Sequence, residues 1–265
     1  MGDTFSTIEV QRQGPTARLI LARPDRRNAF DGALVAELRQ ALRAANEDAA
    51  VRVVVVTGAG KSFCAGVDME WFAAGRDAAS DQNLSECLEL AALFRELYTG
   101  PKPVIAAVNG AAMGGGVGLV AAADVAIAAA SARFSLAATT FGLVPTCVVP
   151  YLIKRCGEGQ CRELLLTSEH FDAPRALAIG LVQRVVPDTE LPDAVAAAVD
   201  KLLQCGPGAL ALTKRALAEL ADLPIESATR TSAEQLARLR RSDEVAAGID
   251  AFLNKRRPAW RPGQG

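Results

Sequence analysis

The stretch PVIAAVNGAAMGGGVG, residues 103–118, decides how this chain folds. Its first half, Val104–Val108, follows a proline and is apolar throughout, the pattern of a strand covered on both faces. Its second half runs through Gly114, Gly115 and Gly116 and then opens the apolar segment 119–123. A buried strand feeding a glycine-rich turn and a helix is a unit of an α/β protein. The plain account of the glycines is a tight turn with close packing. The chemical account is that bare N–H groups at a helix N-terminus point at an anion or a developing oxyanion. The dinucleotide pattern is not met, because its third glycine falls on Leu119.

Outward from this stretch the same alternation continues. Upstream, residues 51–57 form a β-branched run that predicts a strand, and residues 84–98 predict a helix. Downstream, Val125–Ala129 predicts a third strand. Near the start, segments 8–11 and 18–21 flank Gly14-Pro15 as a hairpin. Asp31 caps a helical stretch with Leu34, Val35, Leu38, Ala41 and Leu42 on one face. Strand and helix in alternation predict a mostly parallel sheet with crossover helices. Beyond Val148 only Arg184–Val186 reads as a strand. Segments 195–203, 209–220, 233–239 and 245–253 read as helices, broken by Gly206-Pro207 and Pro224. The expected organisation is an α/β core over residues 1–200 and a helical C-terminal region over 201–265. The apolar faces of that region need cover, from the core or from a neighbouring subunit.

Composition removes several functions. The 265 residues include 51 alanines, 50% hydrophobic residues and a net charge of -1. Neither disorder nor a general attraction for nucleic acid fits such a chain. The single histidine, His170, excludes His-rich zinc sites, and it reads as a surface residue near a helix start. Gly58-Ala59-Gly60-Lys61-Ser62 looks like the end of a phosphate loop, but Val55 stands where that loop needs glycine. Segment 117–130 is the longest apolar stretch and is interrupted by Asp124, too weak for a membrane span. The six cysteines lack a two-residue gap, and residues 1–10 lack an export pattern. Free, buried thiols and a cytoplasmic location are expected.

Several motifs stand in register along the chain. Leu21-Ala22-Arg23-Pro24 and Asn28-Ala29-Phe30 come first, then Phe63-Cys64-Ala65-Gly66-Val67-Asp68. Segment 103–116 follows, then Phe134 with Gly142-Leu143-Val144-Pro145, and finally Ala251-Phe252-Leu253-Asn254-Lys255-Arg256. In this order they resemble the enoyl-CoA hydratase/isomerase (crotonase) superfamily, from about Ile8 to Trp260. Within it, segments 114–119 and 255–260 look most like the methylglutaconyl/isohexenylglutaconyl-CoA hydratase branch, of leucine and acyclic terpenoid breakdown.

The resemblance implies an α/β spiral of ββα units with a helical C-terminal trimerisation region, and a homotrimer or hexamer. It implies an acyl-CoA thioester as substrate, with CoA as part of the substrate and no separate cofactor or metal. The thioester oxygen is expected between the amides of Val67 and Gly115, and the CoA against Arg26 or Arg27, Ala65, Val67, Asp68, Met69 and Lys255. Trp71, Phe72, Met113 and Phe141 are candidates for an acyl pocket. The family's two acids correspond to Gly118 and Ala138, so this chain has neither. Glu70, Asp81 or Glu86 is then the replacement acid/base, or the chemistry needs only the oxyanion hole. The alternative is an acyl-CoA-binding protein without hydratase activity, by natural loss or an engineered Glu-to-Ala change at 138.

Overall fold

A computed structural model describes residues 5–261. In chain order the strands and helices are β1 (Ile8–Gln13), β2 (Thr16–Leu21), α1 (Gly32–Glu47), β3 (Val53–Gly58), β4 (Ser62–Cys64), α2 (Met69–Ala74) and α3 (Ser80–Thr99). There follow β5 (Val104–Val108), β6 (Ala111–Met113), α4 (Gly115–Ala122), β7 (Val125–Ala129), β8 (Arg133–Ser135), α5 (Val149–Cys156) and α6 (Glu158–Thr167). The chain ends with β9 (His170–Asp172), α7 (Ala173–Ala178), β10 (Arg184–Val186), α8 (Leu191–Leu203), α9 (Pro207–Leu220), α10 (Ile225–Leu239) and α11 (Asp243–Leu253).

A six-stranded sheet has the order β1-β2-β3-β5-β7-β10, parallel except for the β1–β2 hairpin. A second sheet, β4-β6-β8-β9, is parallel except at β9. Each ββα unit places its first strand in the large sheet and its second in the small one: β3 with β4, β5 with β6, β7 with β8. Side chains alternate across a strand, so one apolar run serves two cores. Val54, Val56, Ala106, Val108, Ala126 and Ala128 face the core shared with α1, α3 and α4. Val53, Val55, Ile105, Ala107, Ile127 and Ala129 face a second core closed by Leu191, Val195, Ala198 and Leu203 of α8.

Helix α4 is buried from Gly116 to Ala122, so it is apolar on every side. The C-terminal helices are tied back by Lys214 of α9. Its ammonium is buried and donates to Asp124 Oδ2 (2.6 Å) and to the Lys102 carbonyl (2.9 Å). Burial pushes the Lys214 amine down despite Asp124. No single helix among the described residues is long and apolar enough to cross a membrane.

Two expectations are corrected. The cysteines are free, but Cys87 and Cys205 are exposed. Cys87 lies on the N-terminal half of α3, which stands clear of the core until Leu90, and Cys205 lies in the turn after α8. The helix read over 233–239 begins at Ile225, directly after Pro224, whose carbonyl accepts from the Ala228 amide (2.9 Å).

Candidate active site

The site begins with a short pairing that no regular strand contains. Phe30 bridges Val67 in parallel. Its amide donates to the Gly66 carbonyl (2.7 Å), and its carbonyl accepts from the Asp68 amide (2.7 Å). In a parallel bridge the residue between those two bonds turns its own N–H the other way. The Val67 N–H therefore points away from Phe30. The Gly115 N–H is the first of α4, one of the orphan donors that begin every helix. Neither amide has a hydrogen-bond partner among the described residues.

Gly66 brings the two together. Its φ is +85°, and a Cβ there would lie 2.7 Å from the Met113 carbonyl and 3.2 Å from the Gly115 nitrogen. Only glycine accepts both that conformation and that proximity. Gly114, at φ +48°, is held from the other side by its amide on the Ser135 carbonyl (2.8 Å). The result is two amides beside Gly66, at the positive end of α4, with no partner among the described residues. A cleft of about 400 Å³ between the large sheet and α8, lined by Arg18, Thr57, Asn109 and Leu191, includes neither amide.

A sequence model of the enoyl-CoA hydratase/isomerase family matches residues 11–263. This chain belongs to that family. It is 34% identical to the crotonyl-CoA hydratase of Syntrophomonas wolfei, over 96% of this chain and 97% of that one. The crystal structure of an enoyl-CoA hydratase from Shewanella pealeana matches with TM-score 0.93 at 33% identity, covering 97% of this chain and 96% of that one. AtuE of Pseudomonas aeruginosa matches with TM-score 0.92 at 35% identity, covering 97% and 100%. The fold is the crotonase fold.

In this hydratase/isomerase chain the segment expected to carry CoA is partly assembled. The Ala65 amide is fixed on the Arg27 carbonyl (2.9 Å), and Met69 is exposed at the start of α2. Arg26 is exposed and paired with Glu70 (3.2 Å). The buried Asp68 accepts from the Glu70 amide (3.1 Å) and from Arg23 (3.3 Å). Burial pushes its carboxyl up, but these donors and the Trp71 amide outweigh that and hold it below the usual range. Asp68 is thus an anchor rather than a proton donor at neutral pH. Cys64, between Phe63 and the Ala65–Gly66 turn, is pushed up to about 12 by burial and stays a thiol.

Lys255 is exposed just beyond α11 and, among the described residues, makes no hydrogen bond or ion pair with any of these. The chain after it is anchored at the start of β3, where Arg52 donates to the Trp260 carbonyl. The paired amides instead follow the far ends of β3 and β5. Within one chain the C-terminal helices lead the segment after Lys255 to the opposite end of the strands, at Arg52.

The two positions that the resemblance matches to acids differ from each other. Gly118 is buried in α4, and a Cβ there would lie 2.3 Å from Val148 Cγ1 and 2.8 Å from the Phe94 ring. Ala138 is half-buried in the 3₁₀ turn Ala137–Phe141. Among the proposed replacements, Asp81 is exposed on α3, Glu86 accepts from Gln82 (3.2 Å), and Glu70 is engaged with Arg26. Of the pocket candidates, Trp71 packs over Gly32, Met113 is half-buried, and Phe72 and Phe141 are exposed. Sequence reasoning missed the Phe30–Val67 bridge and the closure of the Gly118 position. Its one usable signal was Asn28-Ala29-Phe30 standing among the motifs.

Proposed function

We propose that the chain binds an acyl-CoA thioester with its carbonyl oxygen between the Val67 and Gly115 amides and stabilises the thioester enolate. The observation that carries this reading is the pair of unpartnered N–H groups on either side of the Gly66 contact. Negative charge grows on the carbonyl oxygen as the enolate forms, so fixed donors bind the transition state better than the ester. Each such donor contributes about 3–4 kcal/mol, and the α4 dipole acts in the same direction. The relatives named above include a crotonyl-CoA hydratase and an enoyl-CoA hydratase, which supports a CoA ester here.

The preferred substrate is a branched or glutaconyl-type enoyl-CoA. Its support is Gly118, since the branch that segments 114–119 resemble also lacks the first acid. Arg26 would meet the CoA phosphates beside Ala65, Asp68 and Met69. Lys255 would reach a CoA on a neighbouring copy of a homotrimer or hexamer. Leu217, Leu236, Ile249 and Phe252 on the C-terminal helices are exposed and favour such an assembly, in a cytoplasmic protein. A silent acyl-CoA binder is the second reading, favoured by the absence of any ionisable group at Gly118 and Ala138.

Assaying Ala138→Glu beside the unmodified chain on a panel of enoyl-CoA esters separates the two. The introduced acid should raise hydration about 100- to 10,000-fold. Efficient turnover by the unmodified chain would overturn the silent-binder reading. Calorimetric titration that detects no CoA ester binding would overturn both.

A further inference from the structure

The Phe30–Val67 bridge is flanked on both strands by a carboxylate, Asp31 after Phe30 and Asp68 after Val67. Each carboxylate is an N-cap. Asp31 accepts from the Leu34 amide of α1 (2.8 Å), and Asp68 from the Glu70 amide of α2. One guanidinium joins them. Arg23 Nη2 lies 3.0 Å from Asp31 Oδ2 and 3.3 Å from Asp68 Oδ2, while Nη1 donates to the Ala29 carbonyl (2.6 Å). The three side chains are only 17%, 25% and 10% exposed, so water screens them weakly.

Arg23 is itself immobilised. Its amide donates to Asn28 Oδ1 (3.0 Å), and the buried Asn28 donates onward to the Ala59 (3.0 Å) and Ser62 (2.8 Å) carbonyls. Those carbonyls end β3 and begin β4. The guanidinium is therefore referenced to the sheet and, through two caps, to α1 and α2. Without it, two carboxylates would face each other across the bridge and repel.

We propose that Arg23 is a positioning residue, whose bridge between Asp31 and Asp68 fixes the direction of the Val67 amide. The proposal rests on the reading of the Val67 and Gly115 amides as the carbonyl-binding pair. A planar fork suits the task because one group must meet two carboxylates and a carbonyl at once, which an ammonium on a flexible stem does poorly. Arg23 would be silent toward CoA itself, unlike the exposed Arg26.

The test reads carbonyl polarisation without requiring turnover. Cinnamoyl-CoA is bound to the full chain and its absorbance red shift is recorded, with free-CoA affinity by calorimetry and the thermal midpoint alongside. Arg23→Gln should lose at least about half of the red shift, and about 100-fold in any turnover, because small misplacements are costly at the reacting atom. Free-CoA affinity should stay within about threefold. Arg23→Lys should fall between the two. If Arg23→Gln does not fold, Asp31→Asn serves instead, since its amide oxygen keeps the α1 cap while the charge pairing is lost; a reduced shift is expected. A full shift in these variants overturns the proposal. So does an unchanged shift with CoA affinity lost, which would make Arg23 a ligand contact. If cinnamoyl-CoA binds the unmodified chain with no red shift, the amide-pair reading itself has failed, and Arg23 with it.

Discussion

The two halves of this candidate active site are built from different materials. The Val67–Gly115 half consists of backbone, held by the Phe30 bridge, the Gly66 contact and the Ser135 carbonyl. The half around Gly118 and Ala138, where the family resemblance expects acids, has no ionisable side chain at either position. A backbone donor survives nearly any change of residue at its position. An acid disappears with a single substitution. The two matched positions differ further: the space beside Gly118 is filled by Val148, which caps α5, and Phe94 of α3, while Ala138 sits on a half-buried turn.

That contrast can be broken experimentally. The largest effect is expected at Gly66. In an Ala138→Glu background that turns over, Gly66→Ala should cost about 100- to 1,000-fold in kcat, because a Cβ at φ +85° displaces one donor. Activity equal to the parent would show that the backbone half tolerates displacement.

Gly118→Glu should instead lose stability, by about 3 kcal/mol, since the added side chain has neither space nor water. Denaturant midpoints measure this. A stable Gly118→Glu chain with hydratase activity would make the two acid positions equivalent after all.

The smallest effect lies outside both halves and serves as their control. Glu37 of α1 accepts from the Thr7 hydroxyl (2.6 Å) and the Ser6 and Thr7 amides. Burial alone would raise its pKa, but these donors bring it down to about 2. A depressed carboxylate stabilises the fold above its unfolded value of about 4.5 and loses that contribution as pH falls toward about 2. Glu37→Gln should therefore be less stable than the unmodified chain at pH 6. The gap in thermal midpoint should close near pH 2, with carbonyl polarisation at neutral pH unaltered.

Much of the large sheet was legible because its strands are long enough to show a pattern. Val104–Val108 and Val125–Ala129 lie where the apolar runs place them. The second sheet was not legible. β4, β6, β8 and β9 are three residues each, too short for any period, and they exist only because each is delivered beside the next. The place of Lys255 was not legible for a related reason, since a motif position says nothing about which end of the strands the preceding helices reach.

The sequence by itself determined the order of ββα motifs, the family and the absence of acids at positions 118 and 138, since these depend only on residue identity and spacing. Tertiary structure alone decided that the Val67 and Gly115 amides lie beside Gly66 without partners among the described residues. It also decided that Gly118 has no room for a carboxylate and that one arginine joins two helix caps. The direction of an N–H and the space beside a Cα are set by neighbours distant in the chain, and no local pattern records them.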